Sequence, residues 1–251
     1  MSFSESLTGM PVRPSQRPRI VLLCGMLGIT RFPCWDYFKG VRPILEGMGF
    51  DVLIPQLPWG QTIQRRSESL ANQLKYESGP FHLIAHSMGG VDARYYITHL
   101  GGHEKTASLT TLATPHQGSI IADHEMQTWY SPYRHLPAVP NLTRLAMKEF
   151  NARTPDHGDV AYRSYSASRC IQELPWLTRR FGRLIEEIEG KNDSQVSIAS
   201  AQWGEHLRTL EADHFELIGM NIWLNPFSKR ARFDHLPVYR DIAAWIAQYD
   251  A

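Results

Sequence analysis

The stretch Phe81-His82-Leu83-Ile84-Ala85-His86-Ser87-Met88-Gly89-Gly90 decides the fold. Phe81 to His86 is an apolar run of the length of a buried strand. It passes without a linker into a helical segment that ends near Leu100-Gly101-Gly102. Ser87 therefore stands at a strand-to-helix junction, with Ala85 two places before it and Gly89 two places after. So sharp a bend brings those two positions together and needs both small. It also thrusts the serine hydroxyl out of the backbone, where a base and hydrogen-bond donors can reach it. The competing reading is a turn serine capping the next helix, but the strand before and the helix after favour a nucleophile. The Met88 amide, at the start of that helix, would then point at a developing oxyanion from the favourable end of the helix dipole.

Outward from this junction, short β-like runs alternate with helical patterns, the signature of crossover units building a mostly parallel sheet in an α/β fold. Ile20 to Cys24 predicts the first strand and Phe50 to Ile54 another, stopped by Pro55. Ala107 to Ala113 and Val160 to Ser166 predict two more, and Leu207 to Leu210 a shorter one. Ile63 to Tyr76 places Ile63, Leu70 and Leu74 on one helical face, Phe181 to Glu189 is helix-like, and Val238, Ile242, Trp245 and Ile246 give the last helix an apolar stripe. Ser119 to Pro155 breaks the rhythm with Trp129, Tyr130, Pro132, Tyr133, Pro137 and Pro140. An insertion over about 119–155 reads either as a lid or substrate-binding cap, or as a surface excursion with its own small core.

With 251 residues, 43% hydrophobic and 20% charged, the chain has the composition of one globular α/β domain. The domain is placed at 20–251, with 1–19 as a flexible N-terminal segment. A formal charge of +1 supplies no field to draw in nucleic acid or another polyanion. The cysteines, Cys24, Cys34 and Cys170, have no metal-ligand spacing and read as free thiols, which points to a reducing compartment. Met1 to Arg19 contains no signal-peptide core, and the longest uncharged apolar run, Ile20 to Thr30, is too short to cross a bilayer. A cytoplasmic location without a transmembrane segment is expected, although Arg13, Arg17 and Arg19 in a serine-bearing leader leave organelle targeting open.

In the loop after the first strand, Cys24-Gly25-Met26-Leu27-Gly28 puts a glycine before Met26, whose amide is the candidate second oxyanion donor. Three segments, in order, resemble the microbial triacylglycerol lipase and esterase family of the α/β-hydrolase superfamily. Val21 to Gly28 looks like the family's oxyanion segment, Ala85 to Gly90 like its nucleophile elbow, and Ala113-Thr114-Pro115-His116-Gln117-Gly118-Ser119 like the segment after the next strand. The resemblance covers most of the chain. It implies an α/β-hydrolase fold with helices on both faces of the sheet, a lid or cap insertion, and carboxylic ester hydrolysis through a Ser87 acyl-enzyme. The family usually carries His where this chain has Cys24, so the bracing of the oxyanion loop is expected to differ. His116 is expected to stabilise its turn rather than transfer a proton.

The order of the fold, serine then acid then histidine, directs the search downstream of Ser87. Asp193, in the polar turn Gly190 to Ser194, and His214, beyond a short strand, resemble the family's acid and base. Asp213 is a weaker acid candidate, and His206 and His235 are reserve bases. In some relatives a carboxylate two residues beyond the base holds calcium. Glu216 is at that position, but no aspartate partner stands in Ile171 to Gly190, so neither calcium nor another cofactor is expected. The expected partner is an ester or lipid substrate, with transient contact at a lipid–water interface. An acyltransferase or thioesterase on the same scaffold, or a catalytically silent module binding apolar ligands or a protein, are the alternatives.

Overall fold

A computed structural model describes residues 17–28, 36–220 and 232–250. Residues 1–16 and Cys34 lie outside them, and with them most of the N-terminal segment. The strands are β1 (Arg19–Leu23), β2 (Asp51–Leu53), β3 (Phe81–His86), β4 (Thr106–Leu112), β5 (Ala161–Ala167) and β6 (Glu205–Leu210). The α-helices are α1 (Val41–Gly47), α2 (Ile63–Leu74), α3 (Gly89–His99), α4 (Ile120–Gln127), α5 (Ala138–Asn141), α6 (Arg144–Arg153), α7 (Arg179–Glu189), α8 (Ile198–Ala201) and α9 (Leu236–Tyr249). Every strand pairing is parallel and the sheet runs β2-β1-β3-β4-β5-β6.

That order has a consequence for where a ligand can enter. The chain steps one way from β1 to β2 and the other way from β2 through β3 to β6. Right-handed crossovers therefore put α1 on one face and α2 and α3 on the other, and the packing agrees: α1 meets α9, whereas α2 meets α3. The loops after β1 and β3 diverge at the point of reversal, leaving a crevice at the carboxyl ends of these two strands. The Gly25 loop and Ser87 are the residues that follow those two ends.

Helices on both faces explain why all six residues of β3 are buried and why β1 reads as the uninterrupted apolar run Ile20 to Leu23. Edge strand β6 obeys a different rule. Its residues are mostly exposed, so Glu205 and His206 belong to it although apolarity alone marks only Leu207 to Leu210.

The insertion between β4 and β5 contains α4, α5 and α6. Ala122, Ala138, Val139, Leu142 and Met147 from this region cluster with Met88, Val91 and Ile63, apart from the main core. The segment thus has a small core of its own, seated on the first turns of α2 and α3. Its solvent side carries Trp129, Tyr130, Tyr133 and Leu145, all exposed. Among the described residues, no helix is long and apolar enough to cross a membrane.

Candidate active site

Ser87 follows the end of β3 with φ 56, a left-handed conformation that costs a residue bearing a Cβ roughly 1–3 kcal/mol. Three hydrogen bonds hold it. Its N–H donates to the Leu112 carbonyl (2.9 Å), and its carbonyl accepts from the Gly90 N–H (3.1 Å) and the Thr114 hydroxyl (2.7 Å). Alone among residues 81–90 it is not buried. A Cβ at Gly25 would lie 2.9 Å from Ser87 Cβ and 3.3 Å from its Oγ, so the loop after β1 passes directly beside the serine side chain. A Cβ at Gly89 would lie 2.8 Å from the carbonyl oxygens of Leu23 and Cys24, so α3 starts hard against the end of β1.

Met88 is the N-cap of α3 and Met26 follows Gly25 in the loop. Among the described residues, no acceptor takes either amide. The loop is braced by a group that no motif announced. Arg66 is fully buried on the apolar face of α2, beside Ile63 and Leu70. Its Nη2 donates to the carbonyls of Cys24 (2.9 Å) and Gly25 (3.1 Å), its Nη1 to those of Met26 (3.4 Å) and Pro58 (3.1 Å), and its Nε to Asp92 Oδ2 (2.8 Å). The available signal was an arginine inside the stripe of α2 that has to face the core. Cys24, in the place of the family's histidine, donates its buried thiol to the Gly28 carbonyl (3.6 Å) and leaves the loop carbonyls to Arg66.

The structure brings the candidate acid and the candidate base together. His214 Nδ1 lies 2.7 Å from Asp193 Oδ2, with Asp193 fully buried. The other carboxylate oxygen accepts from the N–H groups of Gln195 (2.9 Å) and Val196 (2.7 Å), and the His214 N–H donates to the Asp193 carbonyl (2.9 Å). An imidazole that gives its Nδ1 proton to a carboxylate keeps Nε2 as an acceptor, the tautomer a general base requires. Among the described residues, no hydrogen bond within 3.5 Å links Ser87 to His214, and such contacts are commonly long without substrate. What ties the base loop to the serine is His86, the residue before it. Its Nε2 meets the His214 carbonyl at 3.0 Å, and the two imidazole centroids are 4.5 Å apart.

The remaining candidates have other work. Asp213 caps a turn, its Oδ1 accepting from the N–H groups of Phe215 and Glu216. His206 pairs with Ser166, and His235 with the Lys39 carbonyl. Buried His116 stacks on Trp203 and meets Thr111 Oγ1, which braces the turn after β4. Burial pushes its imidazole well below the usual histidine range, with Arg94 adding to the effect. Glu216 is buried and does not fit calcium: Oε2 accepts from Arg169 Nε (3.2 Å) and the Asp213 N–H (2.9 Å), so a guanidinium already neutralises it. Among the described residues, no cluster of three or more His, Cys, Asp or Glu could hold a metal ion.

A parallel sheet that reverses its strand order beside a left-handed serine defines an α/β-hydrolase fold, and solved structures agree. The crystal structure of a metagenomic carboxyl esterase matches with TM-score 0.75 and 18% identity, over 98% of this chain and 80% of that one. The mature lipase of Bacillus licheniformis matches with TM-score 0.73 and 23% identity, over 94% of this chain and 96% of that one. By sequence, the chain is similar to triacylglycerol lipases of microorganisms. Triacylglycerol lipase 2 of Saccharomyces cerevisiae is 32% identical over 209 residues, which are 76% of this chain and 63% of that protein. A triacylglycerol lipase of Pseudomonas fragi is 31% identical over 109 residues, 41% of this chain and 36% of that protein. The chain therefore spans less than two thirds of the length of either relative. No family model matches it.

Burial already pushes Asp92 up to about 6 while Arg66 opposes the rise, so Arg66→Met would leave a buried carboxyl that must take up a proton or stay unpaired, a loss of about 3–5 kcal/mol for a pair of this kind. Urea unfolding should show that loss, and a Arg66→Met, Asp92→Leu double variant should recover part of it. A single variant as stable as the parent would show that the pair is not needed to hold the loop.

Proposed function

We propose that the chain is a carboxylic ester hydrolase, a lipase for acylglycerols or related acyl esters, acting through a Ser87 acyl-enzyme. One observation carries this: the Asp193–His214 pair, 2.7 Å apart, is docked through His86 next to a serine held left-handed at the sheet's point of reversal. The lipase and esterase names of the relatives support it.

In this mechanism His214 Nε2 takes the Ser87 proton as Oγ attacks the ester carbonyl. The Met26 and Met88 amides donate to the oxyanion, and Asp193 stays ionised and steadies the imidazolium. His214 returns the proton to the departing alcohol as the carbon–oxygen bond breaks. Water then enters and gives a proton to His214 as it attacks the acyl carbon, and His214 returns that proton to Ser87 Oγ as the acyl carbon–Oγ bond breaks, which releases the acid and restores the serine. Five parts of the fold would contribute: the loop after β1 and the start of α3 the donors, the end of β3 the nucleophile, and the loops before and after β6 the acid and base.

Ser87→Ala should lower turnover of a soluble p-nitrophenyl ester by about 10⁴-fold or more with unchanged melting temperature. A fluorophosphonate probe should label the parent at Ser87 and leave the variant untouched. A parent that takes no label would favour a silent binding module, and labelling accompanied by faster transfer to thiol or alcohol acceptors than to water would favour the acyltransferase or thioesterase alternative.

Glu216, the one calcium candidate named in the sequence, is paired with Arg169, and we read hydrolysis as independent of calcium. Hydrolysis should keep its rate after dialysis against a chelator, and restoration by added calcium of activity lost in that step would refute this part.

The exposed aromatic side of the insertion fits contact with a lipid–water interface. Replacing Trp129 and Tyr130 with serine should reduce the rate on an emulsified long-chain ester by about fivefold or more, with the rate on a soluble short-chain ester held within about twofold. Equal losses on both substrates would argue against an interfacial role.

A further inference from the structure

His86, the residue before the serine, is engaged at both ring nitrogens. Nε2 meets the His214 carbonyl at 3.0 Å and Nδ1 meets the Tyr37 hydroxyl at 2.8 Å. The Tyr37 oxygen in turn accepts from the Gly25 N–H at 2.9 Å. All three side chains are buried. The hydrogen positions follow from elementary accounting. A carbonyl only accepts, so His86 Nε2 carries a proton. In neutral imidazole Nδ1 is then an acceptor, so the Tyr37 hydroxyl donates to it and uses a lone pair for Gly25. The chain runs in one direction, from the Gly25 N–H through Tyr37 and His86 to the His214 carbonyl, and each end is a backbone group that cannot reverse.

We infer that Tyr37 and His86 form a positioning relay that ties the oxyanion loop to the loop of the base and keeps the His86 ring uncharged beside His214 during catalysis. This rests on the proposed roles of Ser87, Met26 and His214. The peptide at one end immediately precedes Met26, and the carbonyl at the other belongs to the general base. The ring between them precedes the nucleophile, so one neutral imidazole sets the spacing of three catalytic segments.

Charge is the second half of the argument. When His214 accepts the serine proton, a positive imidazole stands 4.5 Å from the His86 ring, centroid to centroid. A second positive charge there would oppose that transfer. Protonation at His86 Nδ1 would require the Tyr37 hydroxyl to withdraw its proton, while Gly25 already occupies one lone pair, so the relay resists it. Burial, together with His214, also pushes His86 well below the usual histidine range. The titratable groups facing His86 are Tyr37 from the loop after β1 and His214 from the loop after β6. Behind them stand Cys24, close to Tyr37, and Asp193, bonded to His214, while the β4 neighbour of His86 is Leu112.

The test measures kcat and KM on a soluble p-nitrophenyl ester from about pH 5.5 to 9 for the parent, Tyr37→Phe, His86→Gln and their double variant. Tyr37→Phe removes both the acceptor for Gly25 and the donor to His86, and His86→Gln keeps reach to the His214 carbonyl while losing the acceptor for Tyr37. Each single change should lower kcat by about tenfold or more with KM within about twofold, and the double variant should lose no more than the worse single, because the two act as one unit. The acid limb of the Tyr37→Phe profile should move to higher pH and steepen, since a freed His86 Nδ1 can then be protonated. Multiplicative losses, losses confined to KM, or a uniform drop across the pH range would overturn the relay. If Tyr37→Phe does not fold, His86→Asn and His86→Gln carry the test, since each keeps one end of the chain: neither should reach parental kcat, and either doing so overturns it. Ser87→Ala, run alongside, separates the two ideas. An inactive Ser87→Ala with unaffected relay variants sinks the relay alone, whereas an active Ser87→Ala sinks the proposed function.

Discussion

Ser87 occupies a backbone conformation that an L-residue avoids, and the architecture around it is arranged so that it cannot relax. The strand before it is buried on both faces, the helix after it is pressed against the end of β1, and its own peptide groups are tied to β4 and to Thr114. A cost of roughly 1–3 kcal/mol at one residue is sustained because movement would break several of these contacts at once. The return is a half-buried serine at the crevice where the sheet changes direction, with the Gly25 loop beside it and the His214 loop joined to it through His86.

Around that hydroxyl the interior is unusually polar, and the polarity is concentrated on backbone carbonyls. Arg66 gathers those of Cys24, Gly25 and Met26, which turns the carbonyls of this loop toward the guanidinium. A buried ion pair is a weak way to gain stability, because desolvation offsets most of the attraction. Its value here is geometric, since a planar fork fixes several acceptors at known angles. Arg169 does similar work for Glu216 at the base loop.

The insertion is joined to this machinery through Met88. Its side chain is packed in the insertion's small core while its amide stands at the start of α3, so the packing of the insertion bears directly on the helix end next to Ser87. The position of the insertion along the chain could be read from its aromatic and proline content. The choice of Met88 and Val91 as its floor could not, because nothing in the spacing of apolar residues says which helix an excursion returns to.

Much of the fold was legible locally. The apolar run before Ser87, the small residues flanking it, and the alternation of strand and helix each express an interaction within a few residues, and they suffice for the class of fold and for the strand-to-helix bend at Ser87. The candidates Asp193 and His214 came from chain order and likeness to a family, and their 2.7 Å contact joins positions that only the folded loops bring together. Arg66 and Tyr37 carried no motif, and His86 stood inside the elbow segment with no role assigned, since what these side chains do depends on partners tens of residues away across the sheet. Periodicity reports which face of an element is buried. Which buried polar atom meets which is decided by how the layers pack, and that requires the tertiary structure.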